Sequence, residues 1–293
     1  RYAQLAPHFS DYGVLWHAYG RLFAEVLLPE QAEAALRQAV EFGSLAALPS
    51  LIQVLERDGQ HDVIERVFDE QLALAAGAQS RRELQLLLAQ SRLRRGDPTA
   101  AVEVLDTLVQ AQPREVVARI LRGRALTRLR RFDGAEVDVD TALAWIAGER
   151  AGRHREGALP DDLRRLIAEV QMARLELYRG TDAQDAAWGA VAEAVDAALP
   201  AQLPAILAEQ AAMHRARGNT ALAVKKTERA AALWRQHIQG LLEVGDLAAA
   251  QAQIESARRA LEQPRYGDDL LRRISDLRRA WHPRLLSLWG MGR

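Results

Sequence analysis

Hydrophobic residues recur along most of the chain at intervals of three and four positions. Leu84, Leu87 and Leu88 form one such set, and Val102 and Leu105 belong to another. Because an α-helix has about 3.6 residues per turn, this spacing places apolar side chains in one stripe on the helix surface. Strand-like alternation of apolar and polar residues is almost absent, and the commonest residues are good helix formers. The pattern predicts an all-α protein.

Short breaks separate the predicted helices at fairly even intervals. Three examples are Gly96-Asp97-Pro98, Gly218-Asn219-Thr220 and Gly245-Asp246. In each break the Gly can take the left-handed conformation that ends a helix, and the following Asp, Asn or Thr can cap the next helix. Helices joined by such short turns form helical hairpins. The chain is therefore predicted to be a series of hairpins.

The first hairpin begins at Gly13 and has a distinctive arrangement of aromatic, small and apolar residues. These residues are Trp16, Tyr19, Gly20, Phe23, Ala32, Leu36 and Ala39. Their spacing resembles the tetratricopeptide repeat (TPR) signature W-x2-L-G-x2-Y…A-x3-F. The resemblance implies a TPR-like α-solenoid, a right-handed superhelix of hairpins. Small residues such as Gly20 and Gly123 would let two helices cross closely, and large residues would fill the space between hairpins.

About six to seven hairpins are predicted, and the solenoid is assigned to residues 1–265. An insertion near 148–160, rich in Gly and charged residues, interrupts the repeats and is predicted to be an exposed loop or a longer helix end. Two possibilities stay open near the end of the solenoid. Helix Ala221–Leu233 continues towards Val244 as one long helix, or the first helix of a seventh hairpin is short.

Residues 266–293 are predicted to form a C-terminal capping helix and an apolar tail. Asp268 and Asp269 would start the helix Leu270–Trp281, which would cover the apolar face of the last hairpin. Pro283 would end this helix. The apolar residues that follow, up to Met291, either fold back onto the cap or lead into another domain.

Composition narrows the possible functions. Lys+Arg and Asp+Glu both number 39, and a net charge of zero disfavours a nucleic-acid partner. The absence of Cys excludes disulfides, thiolate metal sites and a Cys nucleophile. The longest uncharged stretch, Phe42–Leu55, contains Pro49 and is too short to span a membrane. A chain that starts at Arg1 is expected to be a processed protein or a fragment, and bacterial cytoplasm and periplasm both suit it.

Motifs for catalysis and cofactor binding are missing. The chain has no Gly-rich phosphate loop, no H-E-x-x-H zinc motif and no G-x-S-x-G nucleophile elbow. Asp133, Asp138 and Asp140 are close in sequence but lack the Gly and terminal Glu of an EF-hand, so we interpret them as a solvated helix face. No catalytic residue, metal site or cofactor is predicted, and the chain is expected not to be an enzyme.

Arginine is the informative charged residue. In the TPR register the first helix of each hairpin lines the concave groove, where Glu25, Glu56 and Glu83 are the acidic members of an otherwise Arg-rich set. The candidate ligand-binding residues are Arg94, Arg124, Arg128, Arg174, Tyr178 and Arg215. Guanidinium groups suit carboxylates and phosphates, so an extended acidic ligand could follow this wall. The alternative is that these arginines are solvated and bind nothing.

The resemblance implies a non-enzymatic protein–protein interaction scaffold that holds a partner peptide or helix, acidic in character, in its concave groove. The alternative is a periplasmic TPR adaptor region of a bacterial exopolysaccharide export outer-membrane protein. Such an adaptor would contact polysaccharide or a polysaccharide-modifying enzyme. The Lys and Asn set of carboxylate-clamp TPRs is not found here, which disfavours a chaperone-tail cochaperone.

Overall fold

The computed structural model describes residues 12–25, 28–153, 160–181 and 183–288. Within these ranges the chain forms fourteen α-helices, one short 3-10 helix at Leu45–Ala47 and no β-strand, which confirms the predicted all-α fold. The helices are α1 (Gly13–Glu25), α2 (Pro29–Glu41), α3 (Leu48–Arg57), α4 (His61–Leu74), α5 (Ala78–Arg94), α6 (Pro98–Ala111), α7 (Val116–Arg128), α8 (Phe132–Arg153), α9 (Asp161–Gly180), α10 (Gln184–Ala197), α11 (Leu203–Ala216), α12 (Thr220–Glu243), α13 (Leu247–Leu261) and α14 (Asp268–Leu288).

The helices belong to two compact units. Unit 1 combines residues 1–67 with residues 234–293, and unit 2 comprises Phe68–Leu233. Within unit 1, α1 packs against α2 and also against α13. A stack in which each repeat contacts only its neighbours would not bring these two helices together. The division into a solenoid over residues 1–265 and a separate cap therefore stays a prediction.

Most of the predicted helix ends are confirmed. Asp97 accepts a hydrogen bond from the Ala100 N–H at 3.0 Å, and Asp246 accepts one from the Ala249 N–H at 3.1 Å. Gly96 and Gly245, which precede these caps, both have φ of +80°. The Gly-Asp breaks in the sequence are thus a left-handed helix end followed by an N-cap.

Three elements near the insertion and the C-terminus differ in length from the simplest expectation. α8 continues to Arg153, which agrees with a longer helix end, and residues 154–159 lie outside the described part of the chain. α12 is one uninterrupted helix, as the first of the two alternatives predicted.

α14 begins at Asp268 as expected but passes through Pro283 to Leu288, so the prediction that Pro283 ends this helix is wrong. A proline inside a helix removes one hydrogen bond and crowds the preceding turn, which kinks a helix in some cases and breaks it in others. Residues 289–293, which include Met291 of the predicted apolar tail, lie outside the described residues.

The close helix crossings predicted at two glycines are confirmed. A Cβ atom on Gly20 would lie 2.3 Å from Cγ of Leu36, and one on Gly123 would lie 2.9 Å from Cγ2 of Val139. Leu36 and Val139 are fully buried in the second helices of these hairpins. The small residue in the first helix therefore leaves the space that the large residue of the second helix fills.

Asp138 corrects the interpretation of the aspartate group on α8. Its side chain is fully buried, whereas Asp133 and Asp140 are exposed as predicted. Arg122 donates to both Asp138 oxygens, at 2.6 Å from Nε and 2.7 Å from Nη2, and Arg119 donates at 3.0 Å. Both arginines belong to α7 and are three residues apart. Asp138 therefore lies on the side of α8 that packs on α7.

Candidate functional site

Three of the predicted arginines line one cavity in unit 2, which we call the arginine cavity. It has a volume of about 330 Å³ and is formed by first helices of successive hairpins, α5, α7 and α9. Its lining residues are Gln90, Leu93, Arg94, Val117, Ile120, Leu121, Arg124, Arg128 and Glu169. The structure therefore brings Arg94, Arg124 and Arg128 together at one cavity, and their role in ligand binding stays a prediction.

Arg124 already holds a carboxylate of its own chain. Its Nε and Nη2 atoms donate to Oε1 of Glu176 at 3.0 and 2.5 Å. Desolvation lowers the pKa of Arg124, but the hydrogen bonds and charge of Glu176 outweigh it and raise this pKa above its ordinary value. Burial raises the pKa of Glu169, against the opposing charges of Arg165 and Arg124. Arg124 thus has two acidic neighbours on α9: Glu176 accepts its hydrogen bonds, and Glu169 lines the cavity with it.

Arg128 has a structural contact as well as a place in the cavity. Its Nη1 atom donates to the backbone oxygen of Leu93 at 2.7 Å, so it links the end of α7 to the end of α5. Arg94 follows Leu93 directly and is exposed at the cavity edge.

Arg174 and Tyr178 form a pair on α9, one turn apart. Nε and Nη2 of Arg174 donate to the Tyr178 hydroxyl oxygen at 3.1 and 2.6 Å, and its Cζ lies 5.2 Å from the centre of the Tyr178 ring. Arg174 therefore fixes the ring of Tyr178. Arg215, the last predicted residue, is exposed on α11 and lines neither the arginine cavity nor the cavity described next.

Tyr178 lines a second cavity in unit 2, which we call the aromatic cavity. Its volume is about 310 Å³, and it lies among the end of α9, the start of α10 and the end of α11. Its lining residues are Tyr178, Arg179, Gln184, Ala187, Trp188, Ala212, Met213, Ala216 and Arg217. Sequence reasoning placed only Tyr178 in a ligand site and missed the rest.

A polar cavity also occurs in unit 1, around a buried carboxyl group. The Glu25 side chain is 7% exposed and accepts a hydrogen bond from the Ala248 N–H at the start of α13. Burial raises the pKa of Glu25 to about 7; the Ala248 N–H opposes this shift and the neighbouring Asp246 carboxylate adds to it. Nε of Arg278 donates to the Glu25 backbone oxygen at 2.7 Å, and Arg21 pairs with Asp246 at 3.2 Å. Glu25 was expected to face the groove, but it joins two helices instead.

The described ranges contain no group of three His, Asp or Glu residues that is placed to hold a metal ion. Nor does any helix of this part of the chain combine the length and the hydrophobicity that crossing a membrane would require.

Known structures resemble this chain in fold, whereas comparison of its sequence with known families and proteins gives no match. No family model matches the chain, and no curated protein matches its sequence. A chain of the APC/C hetero-tetramer Cut9–Hcn1 superimposes with a TM-score of 0.53 and 15% identity; the match covers 89% of this chain and 45% of that one. BtubC (BKLC) from P. vanneervenii gives a TM-score of 0.54 and 16% identity over 75% of this chain and 92% of that one.

A tetratricopeptide repeat protein from Parabacteroides merdae ATCC 43184 is also similar, with a TM-score of 0.49 and 14% identity over 91% of this chain and 98% of that one. The present chain thus spans less than half of the Cut9–Hcn1 chain that it matches. Its repeated hairpins and all-helical content agree with the Cut9–Hcn1 and BtubC chains, and its fold is TPR-like and all-α.

Proposed function

We propose that this protein is an interaction scaffold that binds an acidic segment of a partner protein in the arginine cavity. The observation that carries the proposal is the Arg124–Glu176 pair, because Arg124 lines the cavity and its guanidinium group already binds a carboxylate. Side chains of both residues remain about one-third exposed, at 34% and 32%, so a carboxylate from outside can reach the same guanidinium. Arg94 and Arg128 line the same cavity and supply further positive charge.

Several weak contacts would have to act together in such a complex. An ion pair between exposed side chains contributes typically under about 1 kcal/mol, and dissolved salt screens it. A partner that meets Arg94 and Arg124 together would therefore bind more tightly than a single carboxylate, and its affinity would fall as ionic strength rises. The role is a binding role and requires no catalytic residue.

The first test uses a fluorescently labelled peptide of six glutamates, with fluorescence anisotropy as the readout. We expect Arg94→Gln and Arg124→Gln each to weaken binding at least threefold, and the double variant to weaken it further. Arg229→Gln is the matched control, because Arg229 is exposed on α12 of the same unit and lies outside the cavity. Equal losses in the control and in the cavity variants would contradict the proposal.

The second test removes the internal competitor of Arg124. Glu176→Gln leaves the guanidinium in place but takes away the carboxylate that now occupies it. We expect this variant to bind the six-glutamate peptide more tightly than the unchanged protein. Weaker binding by Glu176→Gln would mean that Glu176 positions Arg124 and does not compete with the ligand.

The narrower alternative is a periplasmic adaptor in exopolysaccharide export. The apolar end of the chain suggested it, and residues 289–293 of that end lie outside the described part. Binding of the chain to an anionic polysaccharide in place of the acidic peptide would favour this alternative.

A further inference from the structure

The aromatic cavity differs from the arginine cavity in the side chains that form it. Two rings, Tyr178 and Trp188, and the thioether of Met213 line it, and three alanines take up little of its volume. At about 310 Å³ it lies at the lower end of the usual range for ligand pockets, about 300–1,000 Å³. A single large side chain would fill such a space, whereas a helix would not enter it.

Contacts on two sides fix the rings of this cavity. Arg174 holds the Tyr178 hydroxyl through two hydrogen bonds, at 3.1 and 2.6 Å. The Trp188 ring has His214 at its edge, with ring centres 4.7 Å apart, and the Arg217 guanidinium over its face at 4.9 Å. A site whose rings are already ordered needs little rearrangement when a ligand binds. Aromatic rings favour another ring in offset or edge-to-face contact.

Arg179 and Arg217 are the charged residues that line the aromatic cavity. Arg179 pairs with Glu209 at 2.5 Å, and Arg217 pairs with Asp185 at 2.8 Å. The Asp185 side chain is fully exposed, so this pair is a weak surface contact that another carboxylate can replace. Charge complementarity therefore favours an acidic residue beside the side chain that enters the cavity.

We propose that the aromatic cavity binds one aromatic side chain of the partner segment, with an acidic residue next to it that contacts Arg217 or Arg179. This inference rests on the proposed function, since it takes the occupant to be a peptide of acidic character. It adds a requirement that the arginine cavity does not impose, namely a ring at a defined place in an acidic sequence.

The test compares two labelled peptides, Glu-Glu-Phe-Glu-Glu and Glu-Glu-Ala-Glu-Glu, in anisotropy titrations with the full chain. We expect the Phe peptide to bind at least fivefold more tightly. Ala216→Leu should remove this difference, because it places a larger side chain in the cavity from an exposed position on α11. Ala221→Leu is the matched control, since Ala221 is exposed on α12 and does not line the cavity.

A second variant tests the charged rim. Arg217→Gln should weaken binding of the Phe peptide at least threefold more than it weakens binding of a Gln-Gln-Phe-Gln-Gln peptide, because loss of the contact with Trp188 affects both peptides and loss of the charge affects only the acidic one. Arg229→Gln should leave both peptides unaffected. An Arg217→Gln variant that binds both peptides like the unchanged protein would overturn the acidic requirement.

The outcomes separate this inference from the function on which it rests. Equal binding of the Phe and Ala peptides, with both weakened by Arg124→Gln, would overturn the aromatic site and leave the arginine cavity supported. A Phe preference that Ala216→Leu removes, together with affinities for both peptides that Arg124→Gln leaves unchanged, would support the aromatic site and count against the arginine cavity. If neither peptide binds, or if the Phe preference survives in Ala216→Leu, the inference is wrong.

Discussion

Among the described residues, units 1 and 2 each bury one carboxyl group, and the partners of the two groups differ. Asp138 in unit 2 is surrounded by the guanidinium groups of Arg119 and Arg122. Glu25 in unit 1 accepts a backbone N–H and has a second carboxylate, Asp246, beside it. Two guanidinium groups donate hydrogen bonds directly to the Asp138 carboxylate. For Glu25, burial raises the pKa, the Ala248 N–H and the charge of Arg278 oppose this shift, and Asp246 adds to it. The two units therefore surround a buried carboxyl group in different ways.

The largest expected effect is the loss of the charge on Asp138. Asp138→Asn would leave Arg119 and Arg122 without their shared carboxylate, and breaking a buried ion pair costs about 3–5 kcal/mol. Chemical denaturation measures the change in the free energy of unfolding. Asp140→Asn, on the exposed side of the same helix, is the control and should change stability by less than about 0.5 kcal/mol. Similar results for the two variants would mean that the Asp138 ion cluster adds no stability.

Each unit has a glycine in the first helix of a hairpin that packs closely against the second helix: Gly20 in unit 1 and Gly123 in unit 2. We expect a larger residue at either position to destabilise the protein. Gly20→Ala would put a Cβ atom 2.3 Å from Leu36 Cγ, and such overpacking costs about 1–3 kcal/mol. Gly123→Leu in unit 2 should cost a similar amount. Gly189→Ala is the control: no atom lies within 4 Å of its Cβ position, and Ala favours a helix by up to about 1 kcal/mol. A Gly123→Leu protein with an unchanged melting temperature would contradict the repeat register in unit 2.

We expect the stability of the protein to depend on pH through the titration of Glu25. Because the pKa of Glu25 rises from 4.5 to about 7 on folding, the folded state binds more protons than the unfolded state between these values. Stability should therefore fall as pH increases through this window, by about 3 kcal/mol. Thermal unfolding at pH 5 and pH 8 measures this change.

Glu25→Gln is the variant that isolates this group. Its amide oxygen can still accept the Ala248 N–H, so it should match the unchanged protein near pH 5 and exceed its stability at pH 8. His17 has a pKa lowered by burial and by the charge of Arg21, which acts in the opposite direction below pH 6.5. Only the difference between Glu25→Gln and the unchanged protein reports on Glu25. An identical dependence of stability on pH in both proteins would contradict the raised pKa of Glu25.

The smallest expected effect concerns the two aspartate N-caps. Asp97→Ala in unit 2 removes a cap hydrogen bond and should cost about 1 kcal/mol. Asp246→Ala removes the same kind of bond but also takes a carboxylate away from Glu25, so its net cost at pH 8 should be smaller. Denaturation of both variants at this pH makes the comparison. A larger loss for Asp246→Ala would mean that its pair with Arg21 matters more than its repulsion of Glu25.

The sequence was sufficient to predict what depends on local spacing. The 3.6-residue periodicity and the Gly-Asp breaks identified the helices, and the repeat register placed Gly20 against its hairpin partner and three arginines on one cavity. Asp138 was misjudged because its two partners belong to the preceding helix, and helix pairing is not visible in the spacing of acidic residues alone.

The candidate sites show the same limit. Glu169 and Glu176 are seven residues, or two helical turns, apart on α9, so both lie on the same side of this helix. This spacing was the signal in the sequence that a carboxylate of the chain itself could pair with Arg124. The aromatic cavity combines the ends of three helices, and Trp188 and Met213 follow no motif that relates them to Tyr178. The pairing of Glu25 with Ala248 joins positions 223 residues apart, a separation over which periodicity carries no information.

The contact between α1 and α13 has a consequence for the order of events during synthesis. The residues of unit 2, Phe68 to Leu233, must all be translated before the partner of the first hairpin exists. At roughly 5–20 residues per second, the ribosome would need on the order of ten to thirty seconds for that stretch. Throughout this interval α13 is absent, so Glu25 and the apolar surface around it would be exposed to solvent. Unit 2 could fold as it emerges from the ribosome. Pulse-labelled nascent chains should accordingly be cleaved by protease in the first hairpin long after unit 2 has become resistant.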